Sequence, residues 1–222
     1  MQQTAFDLDG PRAGPAAGGT ADSLVVLLHG LGADGNDLIG LAPDLGRLLP
    51  TTAFVSPNAP FPCDMAPFGR QWFSLQDRAP QALLAGARLA APILDGFIDD
   101  ELARHGLGDE RLALLGFSQG TMMSLYVALR RAKPAACVLG YSGALIGAET
   151  LTAEIKSRPP VLLVHGEADE VVPFTAMAAA ERALAAAEVP VAAERRPGLG
   201  HGIDPEGLRR GAAFLVEHLG GG

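Results

Sequence analysis

The sequence predicts an α/β protein with a central, mostly parallel sheet and helices on both of its faces. Six short apolar runs alternate along the chain with five segments of helical spacing. Continuous apolar runs bounded by glycine or proline are typical of strands that are buried on both faces of a parallel sheet. The chain shows no internal repeat, long linker or change of composition, so we expect a single domain over residues 1–222.

The boundaries of these elements follow from the same patterns. The apolar runs predict strands at residues 24–28, 53–55, 112–115, 137–141, 161–164 and 189–194. The helical spacing predicts helices at residues 36–49, 81–105, 118–131, 175–187 and 205–219. Pro92 should break or kink the second helix, whereas Asp204 and Pro205 are suited to cap and start the last one. Residues 1–20 should be flexible or irregular, since 10–20 are rich in glycine and proline.

Composition excludes several classes of function. The net charge of −8 leaves no basic surface of the kind that nucleic-acid binding requires. The two cysteines have no metal-ligand spacing to paired histidines, so neither a metal nor another cofactor is expected. No signal peptide is apparent and no apolar run approaches ~18 residues, so we expect a cytoplasmic protein without a membrane span. The sequence does not determine the oligomeric state and is compatible with a homodimer.

The pentapeptide Gly-Phe-Ser-Gln-Gly at residues 116–120 follows an apolar strand and precedes a helical segment. A G-x-S-x-G motif in this context is typical of the nucleophile elbow of the α/β-hydrolase fold. Gly116 and Gly120 leave room where strand and helix crowd the turn, and the helix N-terminus adds positive potential near developing negative charge. We therefore predict that Ser118 is a nucleophile. The alternative is a glycine-rich turn that happens to contain a serine.

A serine hydroxyl needs a base, which is normally a histidine oriented by a carboxylate. In this fold the nucleophile comes first in the chain, then the acid, then the histidine. His201 lies in a glycine-rich loop between the last predicted strand and the last helix, and we predict that it is the base. The alternative for His201 is an exposed loop histidine. Asp169 follows the preceding strand and is favoured as the acid over Glu167, which is nearer to the strand end.

A His-Gly turn at residues 29–30 follows the first predicted strand. The α/β-hydrolase fold takes one oxyanion-binding N–H from this place and another from the residue after the nucleophile. We therefore predict that the backbone N–H groups of Leu31 and Gln119 bind the oxyanion. Because both act through the backbone, their side chains need not matter for this role. An ordinary strand-ending turn is the alternative for this His-Gly pair.

Taken together, these motifs resemble the phospholipase/carboxylesterase family of α/β-hydrolases, which includes the acyl-protein thioesterases and small bacterial carboxylesterases. The matching segments are residues 28–35, 56–60, 72–73, 116–120, 141–143, 165–169, 172–173 and 200–201. They span nearly the whole chain in the family order. The resemblance implies Asp169 as the acid, Leu31 and Gln119 as oxyanion donors, and acyl esters or thioesters, including lysophospholipids, as substrates.

The chain departs from the family pattern near the expected acyl pocket. Ser74 stands where family members often carry an aspartate after the Trp-Phe pair, and residues 61–68 lack the usual glycine-rich character. Residues 143–159 are too few for a separate cap domain, so we expect an open groove. We hypothesise that the apolar side chains of the preceding loop wall the acyl side of this groove. They are Met65, Phe68, Trp72 and Phe73. The alternative is that Trp72 and Phe73 anchor the loop to the core.

The sequence thus predicts a serine carboxylesterase that acts on a small-molecule ester or thioester and needs no metal or organic cofactor. A lactone hydrolase, an amide hydrolase or an acyl transferase could use the same three residues. An inactive hydrolase fold that serves as a binding module is an alternative from another class. Such proteins usually lose a catalytic residue, whereas this chain retains Ser118, Asp169 and His201.

Overall fold

A seven-stranded sheet forms the centre of the computed structural model, which describes residues 8–220. The strands are β1 (Arg12–Ala13), β2 (Ser23–Leu28), β3 (Thr52–Val55), β4 (Phe61–Pro62), β5 (Arg70–Gln71), β6 (Leu112–Phe117), β7 (Cys137–Tyr141), β8 (Val161–Gly166) and β9 (Val191–Arg196). The order across the sheet is β1-β3-β2-β6-β7-β8-β9, with β1 antiparallel to β3 and all other pairs parallel. Strands β4 and β5 form a separate hairpin. The prediction of a mostly parallel sheet is confirmed.

Helices cover both faces of this sheet. They are α1 (Gly35–Ile39), α2 (Ala42–Leu48), α3 (Pro80–His105), α4 (Gln119–Ala128), α5 (Ala148–Glu154), α6 (Thr175–Ala186) and α7 (Pro205–Leu219). Helices α3, α4 and α6 pack on one face, and α1, α2 and α7 pack on the other. Only the short α5 lies within residues 143–159, so the described part of the chain has no separate cap domain.

Strand β2 shows why the central strands lack polar alternation. Leu24, Val26 and Leu28 point into the core under α3 and α4, whereas Val25 and Leu27 point into the core under α2 and α7. All five side chains are completely buried. Full burial of such a side chain stabilises a fold by about 1.5–3 kcal/mol, so a polar residue at any of these positions would be costly. The two cores fix the sheet between the helix layers.

The segment at residues 36–49, predicted as one helix, forms two. Helix α1 ends at Ile39 and α2 begins at Ala42. Pro43 lies in the first turn of α2, where its missing N–H costs nothing. In one continuous helix, the Pro43 ring would clash with the carbonyl of Ile39. The proline therefore marks the start of a second helix and separates it from the first.

Helix α3 runs unbroken through Pro92, so the predicted break does not occur. Pro92 is exposed, and Arg88, whose carbonyl loses its N–H partner, is exposed too. Because this carbonyl lies on the solvent side of the helix, water can satisfy it, which lowers the cost of an interior proline. The sequence pattern alone did not show which side of the helix faces solvent.

Helix α3 is also long enough and apolar enough to cross a membrane by length and composition alone. The core helix of a folded domain passes the same test. In the structure, α3 buries Leu84, Leu94 and Ile98 in the core next to the sheet. Its opposite side carries exposed charged residues, among them Asp99 and Asp100. It is therefore a core helix of this domain.

Several elements differ from the predicted set. The two-residue strand β1 lies within the segment 1–20 that was expected to be irregular, and residues 1–7 of that segment lie outside the described residues. The hairpin β4–β5 and helix α5 were not predicted, because elements this short show no clear periodicity.

Strand β9 begins two residues later than predicted, because the N–H of Val189 bonds to the carbonyl of Leu184 at the end of α6. Asp204 caps α7 as predicted, accepting from the N–H of Gly207.

Candidate active site

Ser118 lies in the sharp turn between β6 and α4. Its φ of 55° and ψ of −116° are rare for a residue other than glycine. Its N–H donates to the carbonyl of Tyr141 in β7 at 2.9 Å, and its carbonyl accepts from the N–H of Met122 at 3.2 Å. The turn is thus fixed from both sides, which holds the strained serine at the C-terminal edge of the sheet.

Close backbone approach explains the two glycines of the turn. A Cβ atom on Gly120 would lie 1.8 Å from the carbonyl oxygen of Leu28, at the end of β2. A Cβ atom on Gly116 would lie 2.4 Å from the carbonyl carbon of Gly120. Both distances are far shorter than van der Waals contact. Any side chain at either position would therefore push α4 away from the strands that position Ser118.

His201 and Asp169 form a hydrogen-bonded pair. His201 lies in the loop between β9 and α7, and Asp169 lies in the turn after β8. The Nδ1 atom of His201 is 2.7 Å from Oδ2 of Asp169. Because an ionised carboxylate only accepts, this contact places the proton on Nδ1 and leaves Nε2 with a free lone pair. Glu167, the alternative acid, is exposed. The pair therefore leaves His201 able to accept a proton at Nε2.

Asp169 is itself fixed by the turn that follows it. Its Oδ1 accepts from the N–H groups of Val171 and Val172, each at 2.9 Å. The buried Nε2 of His165 lies 2.9 Å from the carbonyl of Val172 and 3.3 Å from Oδ2 of Asp169. Burial raises the pKa of Asp169, but the hydrogen bonds from His201, Val172 and Val171 outweigh it and hold the pKa below its ordinary value. Asp169 therefore stays ionised and keeps the His201 ring in one orientation.

The loop after β2 passes directly beside the serine. A Cβ atom on Gly30 would lie 3.3 Å from Cβ of Ser118. The ring of His29 is buried, with Nδ1 2.7 Å from the carbonyl of Gly30 and Nε2 accepting from the N–H of Ala59 at 3.0 Å. Burial lowers the pKa of His29, and a neutral ring satisfies both hydrogen bonds. The His29 ring thus shapes the loop that carries the N–H of Leu31.

The side chain of Gln119 has a structural role that the sequence reasoning missed. Its Oε1 accepts from the N–H of Trp72 at 2.9 Å, and its Nε2 donates to the carbonyl of Phe73 at 2.7 Å. The indole N–H of Trp72 in turn donates to the carbonyl of His29 at 3.0 Å. These bonds join the start of α4 to the loops that follow β2 and β5. The Gln119 side chain thus has a structural role beside the backbone role proposed for its N–H.

A cavity of about 410 Å³ opens beside the turn and is lined by both Ser118 and His201. Leu31 also lines it, which places the loop after β2 at the same site. The rest of the wall is mostly apolar and includes Leu75, Leu83, Met122, Ala144, Val172 and Ala176. Among the described residues, the lining also includes the positively charged side chain of Arg78. The cavity lies within the range of about 300–1,000 Å³ that is usual for small-molecule sites.

The four residues expected on the acyl side do not line this cavity. Trp72 and Phe73 are buried in the core, with 0% and 2% of their surface exposed, because Gln119 fixes their backbone against the start of α4. Met65 and Phe68 lie between β4 and β5, with 51% and 74% exposed. This part of the sequence hypothesis is corrected, and the alternative that Trp72 and Phe73 anchor the loop describes the structure.

One of the missed wall residues had a signal in the sequence. Met122 follows Ser118 by four residues, so both lie on the same face at the start of a predicted helix. Leu83 and Ala176 lie near the starts of α3 and α6. Their apolar spacing predicts burial, but it does not show which end of the sheet each helix start approaches. That information depends on how the helices cross the sheet.

Comparison with known proteins agrees with this architecture. The phospholipase/carboxylesterase family model matches residues 16–219. The chain is 28% identical over 212 residues to acyl-protein thioesterase 1 of Gibberella zeae, covering 88% of this chain and 90% of that relative. It is 28% identical over 199 residues to esterase YpfH of Escherichia coli, covering 90% of this chain and 82% of that relative. The crystal structure of esterase PE8 matches with a TM-score of 0.91 and 44% identity, covering 96% of this chain and 99% of that one.

These similarities cover nearly the whole chain, including the segments that carry the serine turn and the loop after β9. The mostly parallel sheet with helices on both faces is the α/β-hydrolase architecture of the matching esterase structure. The relatives carry the names of esterases and a thioesterase. The chain therefore belongs to the phospholipase/carboxylesterase family and is a carboxylic ester hydrolase.

Proposed function

We propose that this chain is a serine carboxylesterase with Ser118 as nucleophile, His201 as general base and Asp169 as the acid that orients the base. One observation carries the proposal. A single cavity is lined by Ser118, on its strained turn, and by His201, whose Nδ1 is 2.7 Å from the ionised Asp169. A serine beside a histidine with a free nitrogen, and a buried carboxylate behind that histidine, are the groups that acyl transfer to serine requires.

In the first stage, Nε2 of His201 takes the hydroxyl proton of Ser118 as the serine oxygen attacks the substrate carbonyl carbon. The N–H groups of Leu31 and Gln119 bind the oxyanion of the tetrahedral intermediate. His201 then gives its proton to the leaving alcohol or thiol, and an acyl-serine ester remains. In the second stage, His201 activates a water molecule, which attacks this ester and releases the carboxylic acid. These steps need neither a metal nor an organic cofactor.

The wall of the cavity favours acyl chains over acetyl groups. Leu83, Met122 and Ala176 offer apolar surface to the substrate, and each buried methylene contributes about 0.8 kcal/mol. A thiol leaves the tetrahedral intermediate as readily as an alcohol, so the same groups hydrolyse thioesters. Thioester hydrolysis is the reaction in the name of the Gibberella zeae relative. We therefore include acyl thioesters among the proposed substrates.

Hydrolysis of p-nitrophenyl acetate, butyrate and octanoate by the purified protein tests the proposal. We expect turnover of all three esters. Ser118→Ala and His201→Ala should each lower turnover by about 10⁴-fold or more, because the three residues act as a unit. Ser74→Ala is the matched control, since Ser74 is exposed and does not line the cavity, and it should keep wild-type turnover.

A fluorophosphonate probe gives a second readout that does not depend on the choice of substrate. It should label the wild-type protein at Ser118, as located by peptide mass mapping, and should not label Ser118→Ala. Folded protein that hydrolyses none of the esters and does not react with the probe would overturn the proposal, as would full activity in Ser118→Ala. Faster turnover of the matching anilide or of a lactone would instead assign the site to amides or lactones.

A further inference from the structure

We propose that Arg78 makes the cavity selective for esters or thioesters that carry a second, anionic group such as a carboxylate or phosphate. This inference rests on the proposed function, because it concerns the substrate of the same site. Arg78 lies in the loop between β5 and α3, two residues before α3 begins at Pro80. It shares the cavity wall with Leu75 of the same loop and with Leu83 of the first turn of α3.

Arg78 stands out because of its chemical surroundings. Apart from His201, it is the one ionisable basic side chain among the described residues that line the cavity, and most of the others are apolar. Within residues 8–220, no carboxylate belongs to that lining, since the buried Asp169 lies behind His201. A substrate in the cavity therefore meets the Arg78 guanidinium and, on the part of the wall that the structure describes, no opposing negative charge.

Arg78 also lacks an ion-pair partner within residues 8–220. The exposed Arg47 and Arg209, by contrast, each pair with a carboxylate three residues away in their own helix. Asp77, next to Arg78 in sequence, instead uses its Oδ1 to accept from the N–H of Ala79 at 2.8 Å. The Arg78 guanidinium is therefore available to a ligand without the loss of an existing ion pair.

A guanidinium is well suited to bind an anionic group of the substrate at this position. Its five N–H donors form a planar fork that matches the oxygens of a carboxylate or phosphate in a bidentate contact. Arg78 is exposed, so an ion pair formed there stays open to solvent and is screened by salt. The net charge of −8 repels anions from the molecule as a whole. Arg78 gives the cavity a local attraction that the apolar wall cannot supply.

Matched chromogenic esters test this inference. p-Nitrophenyl octanoate is neutral, and the mono-p-nitrophenyl ester of octanedioic acid replaces its terminal methyl group with a carboxylate. The octanoyl ester of 5-hydroxy-2-nitrobenzoic acid places the carboxylate on the leaving group instead. Comparing kcat/KM for the two anionic esters with that for the neutral one shows whether Arg78 binds an anion on the acyl chain or on the leaving group.

The measured quantity is kcat/KM for each ester with wild type, Arg78→Gln, Arg78→Lys and Arg47→Gln. For one of the anionic esters, Arg78→Gln should lower kcat/KM by about 10-fold more than for the neutral octanoate. Arg78→Lys keeps the charge without the planar fork and should lie between wild type and Arg78→Gln. Arg47→Gln changes the net charge by the same amount, but Arg47 lies in α2 on the other face of the sheet. This variant should keep the wild-type ratio of kcat/KM for an anionic ester over kcat/KM for the neutral octanoate. Added salt should weaken the wild-type preference.

Two different failures can be told apart. If Arg78→Gln changes kcat/KM by the same factor for the neutral ester and both anionic esters, or leaves all three values unchanged, the inference about Arg78 is overturned. The esterase function then still stands. If wild type does not hydrolyse the neutral octanoate, or if Ser118→Ala still does, the proposed function itself fails. If Arg47→Gln lowers the preference for an anionic ester as much as Arg78→Gln does, the preference arises from the overall charge of the protein. That result would also overturn the role of Arg78.

Discussion

Gln119 combines two functions in one residue. Its backbone N–H follows the proposed nucleophile and is a proposed oxyanion donor. Its side-chain amide is completely buried, and both ends are paired with the backbone of Trp72 and Phe73. A buried amide stabilises a fold only while both ends have partners, because an unpaired end loses its hydration without compensation. The residue therefore links the geometry of the turn to the position of the loop after β5.

Changing the donor end of this amide should have a measurable cost. Gln119→Glu removes the Nε2 donor and places a carboxylate oxygen against the carbonyl of Phe73. We expect the free energy of unfolding to fall by about 1–3 kcal/mol at pH 7, measured by urea denaturation. Gln76→Glu is the matched control at an exposed glutamine of the same loop and should change stability by less than about 0.5 kcal/mol. Equal effects of the two substitutions would contradict the role of the buried amide.

The candidate site was predictable where chemistry restricts the sequence locally. Ser118 has a recognisable motif between a strand and a helix, and chain order together with loop position favours His201 and Asp169. The wall and its supports were not predictable in the same way. The contact of the Gln119 side chain with Trp72 joins residues 47 positions apart, and no local pattern predicts it. The place of Arg78 on the cavity wall likewise depends on how α3 meets the sheet.

The serine turn depends on three elements whose backbones nearly touch. Strand β6 leads into the turn, α4 leaves it, and the end of β2 lies against the first turn of α4 at Gly120. The parallel pairing of β2 with β6 brings Leu28 beside Gly116, so the crowding follows from the register of the sheet. The strained conformation of Ser118 is kept because the surrounding elements leave no alternative.

A methyl group at the crowded position should disturb this arrangement. Gly120→Ala should lower the free energy of unfolding by about 2–3 kcal/mol, because its Cβ would overlap the carbonyl of Leu28. It should also lower ester hydrolysis, since α4 must shift. Gly96 lies in the interior of α3, and a Cβ atom there would have no atom within 4 Å. Gly96→Ala should therefore raise the free energy of unfolding by about 0.5–1 kcal/mol. Urea unfolding of both variants checks the opposite signs, and a stabilising Gly120→Ala would refute the crowding.

The central strands and the helices of ten or more residues were largely predictable, because their apolar periodicity extends over enough positions. The errors occurred where a single proline or a tertiary contact decided the outcome. Pro43 divides the segment at residues 36–49, whereas Pro92 leaves α3 continuous. The two prolines differ in their place: Pro43 lies in the first turn of α2, whereas Pro92 lies in the interior of α3 on its exposed side. A one-dimensional pattern does not contain that difference.

The cavity belongs to the molecule as a whole, because no single element supplies its wall. The loops after β2, β5 and β8 contribute to it, together with the first turns of α3, α4 and α6. In a parallel sheet the C-terminal ends of the strands lie at one edge, so these loops converge there. The wall therefore varies with loop sequence while the sheet stays the same.

Narrowing the cavity should change the preference for acyl-chain length. Ala176→Phe adds a large side chain to the wall at the start of α6, so the ratio of kcat/KM for octanoate over acetate should fall by about 10-fold. Phe68→Ala removes a side chain that is 74% exposed and outside the cavity, and it should leave that ratio unchanged. Both variants can be assayed with the p-nitrophenyl series. A changed ratio in Phe68→Ala would restore the β4–β5 loop as part of the acyl side.

Trp72 gives the protein an intrinsic optical probe of its own catalytic architecture. It is the only tryptophan in the chain, it is completely buried, and its indole donates a hydrogen bond to His29 in the loop that carries Leu31. Indole emission shifts to longer wavelength when the ring meets water. The fluorescence of the unlabelled enzyme therefore reports whether the loop after β2 and the loop after β5 are in place. If a variant loses turnover while its emission wavelength stays the same, the substitution has removed a group that takes part in the reaction. If the emission wavelength shifts, the substitution has displaced the loops around the site.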